Sequence, residues 1–181
     1  MTFELKIDEN DYLTYQLFVA SQSKTIKRKR KRNKIIIPIL YAMIGVFGFY
    51  QSFRSLGVLL CVLAVLWFFL YPLWDRNNYI KHYKNFIREN YKDAFGKSAF
   101  VEISGKTILI KDEFSESKVN TSEIKAIYEI PTMIFIRMKA GKTFIFPKDK
   151  IASIQTLKSE LIRLAAILKI SYVLDENWVW R

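Results

Sequence analysis

Cysteine and histidine are almost missing from this chain: Cys61 and His82 each stand alone among 181 residues. A single cysteine excludes an intramolecular disulfide and a Cys-based zinc site. It also lies in the middle of an apolar run, where the thiolate needed for nucleophilic attack is disfavoured. The lone His82 falls on a mixed stretch and reads as a surface or interfacial side chain, so a His-paired nucleophile is excluded. Carboxylates are spread singly. Asp112, Glu113 and Glu116 gather at a predicted hairpin and read as a solvated turn rather than an acid/base pair, and Asp175-Glu176 sit in the tail. Neither "GKT", at 105–107 or 141–143, has the preceding Gly-rich spacing of a phosphate loop; both read as strand–turn–strand. No catalytic residue, metal ligand or cofactor follows from the sequence, and the expectation is a non-enzymatic protein.

Charge of one sign is missing from residues 20–34, which hold no acid and eight cations: Lys24, Lys27, Arg28, Lys29, Arg30, Lys31, Arg32 and Lys34. That stretch carries two-thirds of the formal net charge of +12. The remainder is close to balanced, so the pattern is not that of a uniformly basic nucleic-acid-binding domain, and no nucleic acid is expected as a partner. Residues 1–19 hold four acids and one Lys, and the first long apolar run starts only at Ile35, so no cleavable signal peptide is expected.

All charge is missing from two further stretches, 35–53 and 56–74, each nineteen residues long. Each is about the ~20 residues a helix needs to cross ~30 Å of hydrocarbon. Only Arg54 and Ser55 separate them, which predicts an antiparallel transmembrane hairpin with Arg54 at its turn. Eight cations precede the first span, and Arg76, Lys81 and Lys84 follow the second, against Arg54 alone between them. The positive-inside rule then places both termini in the cytoplasm of a multi-pass membrane protein. Trp67, Tyr71 and Trp74, with Phe68 and Phe69, form the expected interfacial aromatic belt. Ala42, Gly45 and Gly48 on one helix and Gly57, Cys61 and Ala64 on the other are small residues at helical spacing that would let two backbones approach. Neither span holds Asp, Glu, Lys, Arg or His, so the hairpin reads as an anchor rather than an ion-coupled transporter. Gln51 and Ser52 are the strongly polar side chains of the first span, and a homo-oligomeric pore stays open.

The flanking segments read as a second, water-facing part. "TFELKI" alternates as a strand, and "DENDYLTYQLFVASQS" reads as a helix with Asp8 as its N-cap. Residues 75–97 read as a connecting helix, with Tyr79, Tyr83, Phe86, Ile87 and Asn90 at spacings of three and four. From 98 to 181 the period becomes two: strands are expected at 99–103, 107–110, 114–119, 124–130, 133–138 and 143–147 in an antiparallel meander. A helix marked by Ile151, Ile154, Leu157, Leu161, Leu164, Ala165 and Leu168 closes the sheet. "TFELKI" is expected to join an edge of that sheet, because an unpaired apolar strand invites aggregation. The tail "ISYVLDENWVWR" is expected to be ordered, with Tyr172, Val173, Leu174, Trp178 and Trp180 covering apolar surface, either of the domain itself or at the headgroup region. The chain thus divides into 1–34 (strand, helix, basic run), 35–74 (hairpin), 75–97 (connecting helix) and 98–181. Its expected class is an α+β membrane protein whose cytosolic β domain has the element order of a pleckstrin-homology-like fold.

The order of these elements, with "SEIKAIYEIPTMIFIRM" and "GKTFIFPKDKI", resembles the bacterial YcxB-like family over nearly the whole chain, with Thr121 where that family usually has an aromatic. The resemblance implies a bacterial cytoplasmic-membrane protein with a cytosolic pleckstrin-homology-like domain. From elimination and architecture, an anchor without ionisable groups joined to a β-rich domain without a catalytic set, function is read as a membrane-anchored interaction or regulatory protein with a protein partner yet to be identified. Anionic-lipid binding, toxin immunity or stress response, and a homo-oligomeric channel are the alternatives. Candidate lipid contacts are the eight cations of 20–34 with Arg76, Lys81 and Lys84, and, in the β domain, Lys106, Lys111, Lys118, Lys139 and Lys142. Setting topology accounts for the basic run by itself; contact with headgroups is the further role it could carry.

Overall fold

Apolar periodicity and local capping place the elements in the computed structural model, which describes residues 1–51, 53–92, 95–112 and 116–181. The readings that fell on Ser52, on Glu113 and on the opening of "FSESKV" lie outside these residues. In chain order the elements are β1 (Thr2–Lys6), α1 (Glu9–Gln22), α2 (Lys24–Tyr50), α3 (Arg54–Tyr91), β2 (Ser98–Ile103), β3 (Thr107–Lys111), β4 (Glu116–Asn120), β5 (Ile124–Glu129), β6 (Met133–Met138), β7 (Thr143–Pro147), α4 (Ile154–Leu168) and β8 (Ser171–Leu174). The fold is α+β: two long apolar helices toward the N-terminal side, then antiparallel sheets and a C-terminal helix. Two compact units result, Met1–Tyr15 with Ile87–Val179, and Gln16–Phe86 with Trp180–Arg181.

The first unit holds the β-sheets. Asp8 caps α1 as expected: its Oδ1 accepts from the N–H groups of Asn10 (2.8 Å) and Asp11 (3.0 Å). Asp11 Oδ2 accepts in return from the Asp8 N–H at 2.9 Å, a reciprocal capping box. β1 pairs antiparallel with β2, Phe3 opposite Val101, so the N-terminal strand does fill a sheet edge. One meander was expected. Two four-stranded sheets form instead, β1-β2-β3-β4 and β7-β6-β5-β8. The corner between them is a 3₁₀ turn at Thr121–Glu123. Thr121, 3 % exposed, donates from its hydroxyl to Gly105 O at 3.1 Å and from its N–H to Lys106 O at 2.9 Å, which turns the chain out of the first sheet.

β8 is a second correction to the antiparallel reading, because it pairs parallel with β5, Ile127 opposite Tyr172. Lys169, in the left-handed region at φ 54°, ends α4 and starts the return into β8. Ile124, Ile127, Ile134, Ile136 and Phe146 meet Leu157, Leu161 and Leu164 of α4 in one core. Val173 and Leu174 are exposed, so of the two surfaces the tail reading allowed they do not cover the domain itself.

The second unit is the helical hairpin. Both α2 and α3 are long and apolar enough to cross a membrane, with mean hydropathies of 1.5 and 2.5 over an 18-residue window of each. At 1.5 Å per residue the 38 residues of α3 extend about 57 Å, well past the apolar run, and end at Tyr91. α2 ends at Tyr50 and α3 starts at Arg54. The N–H groups of Gln51 and Phe53 satisfy the carbonyls of Phe47 (3.2 Å) and Gly48 (3.0 Å), and Gly57 N–H already donates to Phe53 O. Arg54 is therefore the first residue of α3 rather than the turn residue, because the helix nucleates on the Phe53 carbonyl. The small residues do meet. A Cβ on Gly57 would stand 2.8 Å from Gly45 O, and one on Gly45 2.9 Å from Cys61 Sγ.

Candidate membrane-interface site

The basic run is not a loose arm. Ser23 ends the preceding helix and caps the next, its Oγ accepting from Ile26 N–H at 3.3 Å, so all eight cations lie on the first turns of α2. Positive side chains at a helix N-terminus oppose the macrodipole. Helix formation here is driven by the apolar residues that follow, and the cations are carried along with it.

Six of the eight, Lys24, Lys27, Arg28, Lys29, Lys31 and Arg32, are exposed, while Arg30 and Lys34 turn inward. Lys34 Nζ lies 4.6 Å above the Phe68 ring. Arg30 Nε donates to Asp75 Oδ2 at 2.5 Å, and the other carboxylate oxygen accepts from Tyr71 OH at 3.0 Å. The Arg30 guanidinium also donates to Arg181 O at 2.7 Å and lies over the rings of Trp180 (4.7 Å) and Tyr79 (5.5 Å). Trp180 Nε1 in turn donates to Arg76 O, and Trp180 is buried as the tail reading expected. Burial first, and then the Asp75 carboxylate, push the Tyr79 phenol up despite Arg30.

Of the aromatics expected at an interface, Tyr71 is buried, Trp67 donates to Asn33 O at 3.4 Å and stacks on Tyr71, and Trp74 is exposed. Arg76 and Lys81 are exposed and Lys84 is half-buried. Asp75 is the residue that sequence reasoning missed. It could have been found by folding the sequence about its turn, since Arg30 lies twenty-one residues before Gln51 and Asp75 twenty-one after Arg54. Replacing Arg30 with Met strands a carboxylate whose side chain is 9 % exposed. The expected cost is about 2 kcal/mol, below the usual range for buried pairs because Arg30 itself is partly hydrated. Thermal unfolding of the detergent-solubilised chain reads it, and Lys31→Met, at an exposed position, should leave the midpoint in place.

The β-rich unit holds a second charged cluster. Glu129, 2 % exposed at the end of β5, accepts from Lys148 Nζ (2.7 Å) and Lys158 Nζ (2.9 Å) on Oε1 and from Tyr172 OH on Oε2. Burial opposes ionisation of Glu129, but the bonds from Lys148, Tyr172 and Lys158 outweigh it and hold its pKa below the ordinary value. Burial and then Glu129 push Tyr172 up. Glu129, Lys148 and Lys158 line a cavity of about 300 Å³. Two residues on, Lys150 Nζ reaches Asp8 (2.6 Å) and Asp11 (2.5 Å), so the 3₁₀ turn Lys148–Lys150 grips both β5 and the start of α1. The candidate lysines Lys106, Lys111, Lys118, Lys139 and Lys142 are exposed; Lys142 contacts Ser117 Oγ at 3.4 Å and lies over Phe144. Among the described residues no three His, Cys, Asp or Glu side chains could hold a metal ion. No family model, curated protein or solved structure matches this chain.

Proposed function

We propose that the chain is an integral protein of the bacterial cytoplasmic membrane. Its hairpin anchors a pleckstrin-homology-like domain at the cytoplasmic face, where it acts as a non-enzymatic interaction or regulatory module. The observation that carries the membrane reading is a continuous band of exposed apolar side chains. It includes Ile36, Ile39, Met43 and Phe47 of α2 and Val58, Val62, Leu66, Phe69 and Leu73 of α3. A soluble monomer rarely exposes a contiguous apolar patch beyond a few hundred Å². Bilayer hydrocarbon accepts such a band at no cost. The cation ring at one end and the aromatics beside it match an interface with an anionic leaflet. Two small sheets and a closing helix support the pleckstrin-homology-like reading of the β-rich unit, as does the resemblance to the YcxB-like family.

Topology reporters test this. Alkaline phosphatase fused after residue 20 or residue 100 is expected to be inactive and a cytoplasmic reporter at the same sites active. Strong phosphatase activity at either site would overturn the orientation.

A further inference from the structure

We propose that the groove between α2 and α3 at the Lys34 end of the hairpin is a seat for one anionic phospholipid, with an acyl chain along the groove and the phosphate on Lys34. The proposal rests on the membrane reading above. The groove encloses about 330 Å³ and is walled by Ile35, Pro38 and Ile39 from α2 and by Val65, Phe68 and Phe69 from α3. These walls are apolar, so they suit a hydrocarbon chain and nothing that must hydrogen-bond.

What selects the head is the charge at the lip. Lys34 Nζ is held over the face of Phe68, a ring that is itself part of the wall, so one side chain joins the apolar groove to the cation. Lys34 makes no ion pair among the described residues, and its ammonium has three donors to offer. Lys31 lies one turn earlier and exposed, on the adjacent helix surface, where a second phosphate contact is within reach.

Length fits as well. From Lys34 to Ala42, which also lines the groove, α2 descends about 12 Å, roughly the first two-fifths of a ~30 Å hydrocarbon core. An acyl chain that leaves its headgroup at Lys34 follows the wall downward. A second copy of the hairpin fits worse. A helix is about 10 Å across and would rest on the rim, covering the Lys34 ammonium with apolar side chains and leaving its charge unpaired.

Native mass spectrometry of the full chain in mild detergent, with phosphatidylglycerol and phosphatidylcholine supplied together, tests the proposal. The chain is expected to retain one phosphatidylglycerol in preference to phosphatidylcholine. Lys34→Gln should weaken that retention about fivefold, the loss of one headgroup-facing cation. Val65→Trp, which fills the groove from an exposed wall position, should abolish it. Lys125→Gln, at an exposed position of β5 outside the candidate lipid contacts, should leave it unchanged. Equal retention by the Lys34 and Lys125 variants, equal binding of phosphatidylcholine, or a lipid-free dimer would each overturn the seat. Alkaline carbonate extraction separates the two levels. A chain washed from membranes removes the membrane reading together with the seat, whereas a chain that stays integral while Lys34→Gln keeps its lipid removes the seat alone.

Discussion

Replacing Glu129 with Ala is expected to destabilise the β-rich unit by about 3 kcal/mol, the lower end of the range for breaking a buried ion pair. Its carboxylate is the shared acceptor for Lys148, Lys158 and Tyr172, which come from the 3₁₀ turn after β7, from α4 and from β8. The lower end applies because the Lys148 and Lys158 side chains are 24 % and 32 % exposed and can turn to water once the acid is gone. Tyr172 has less freedom, so Tyr172→Phe should cost about 2 kcal/mol through the loss of one charge-assisted bond. Amide exchange gives the local signature: residues 171–174, held to β5 by parallel pairing, should lose protection first in Glu129→Ala. If strand β8 exchanged no faster than in the parent chain, the carboxylate would not be what retains it.

The same group predicts a pH dependence with a definite sign. The folded-state pKa of Glu129 is depressed below the ordinary 4.5 of a glutamate, so its contribution is fully present above about that pH. It is lost as pH falls through the depressed folded value. Glu129→Gln carries no such term. The stability gap between parent chain and Glu129→Gln should therefore be constant above pH ~5 and close on further acidification. A gap that widened toward low pH would contradict the assignment.

Gly57→Ala is expected to be the most damaging single methyl in the hairpin. Alanine in a helix gains up to about 1 kcal/mol over glycine, but here the new Cβ would stand 2.8 Å from Gly45 O and 3.1 Å from the Phe49 ring. A backbone carbonyl cannot turn aside as a side chain can, so the helices must separate, and overpacking of this kind costs about 1–3 kcal/mol. Gly48 is the internal control. Its added Cβ would meet atoms no closer than 3.6 Å, an ordinary contact, so Gly48→Ala should be neutral or slightly stabilising. Thermal unfolding of the two variants in one detergent compares them directly, and equal midpoints would mean that the Gly45–Gly57 approach is not maintained there.

How far the sequence reaches depends on the range of the interaction. Two uncharged runs of nineteen residues are a local fact, and helices of that length and composition follow from it. The Asp8 cap needs only three neighbouring residues, and the strand boundaries follow from period-two alternation, which is why both were legible. That β1 joins a sheet edge was accessible too, because an apolar strand must find one; that its partner is β2 was not.

What lay beyond reach was decided by partners far apart in the chain. One meander became two sheets because a buried threonine hydroxyl found a carbonyl sixteen residues earlier. β8 runs parallel to β5 because α4 spans the crossover and the Glu129 carboxylate takes Tyr172 from forty-three residues away. Arg30 reads as one cation among eight until the hairpin closes. Only then does Asp75, forty-five residues on, single it out, while the Phe68 ring does the same for Lys34. Composition and period determine which segments become helix or strand, since those depend on neighbours within a turn or two. Which cation is paired, which is stacked and which stays exposed is decided by tertiary packing, because desolvation is set by whatever the fold brings alongside.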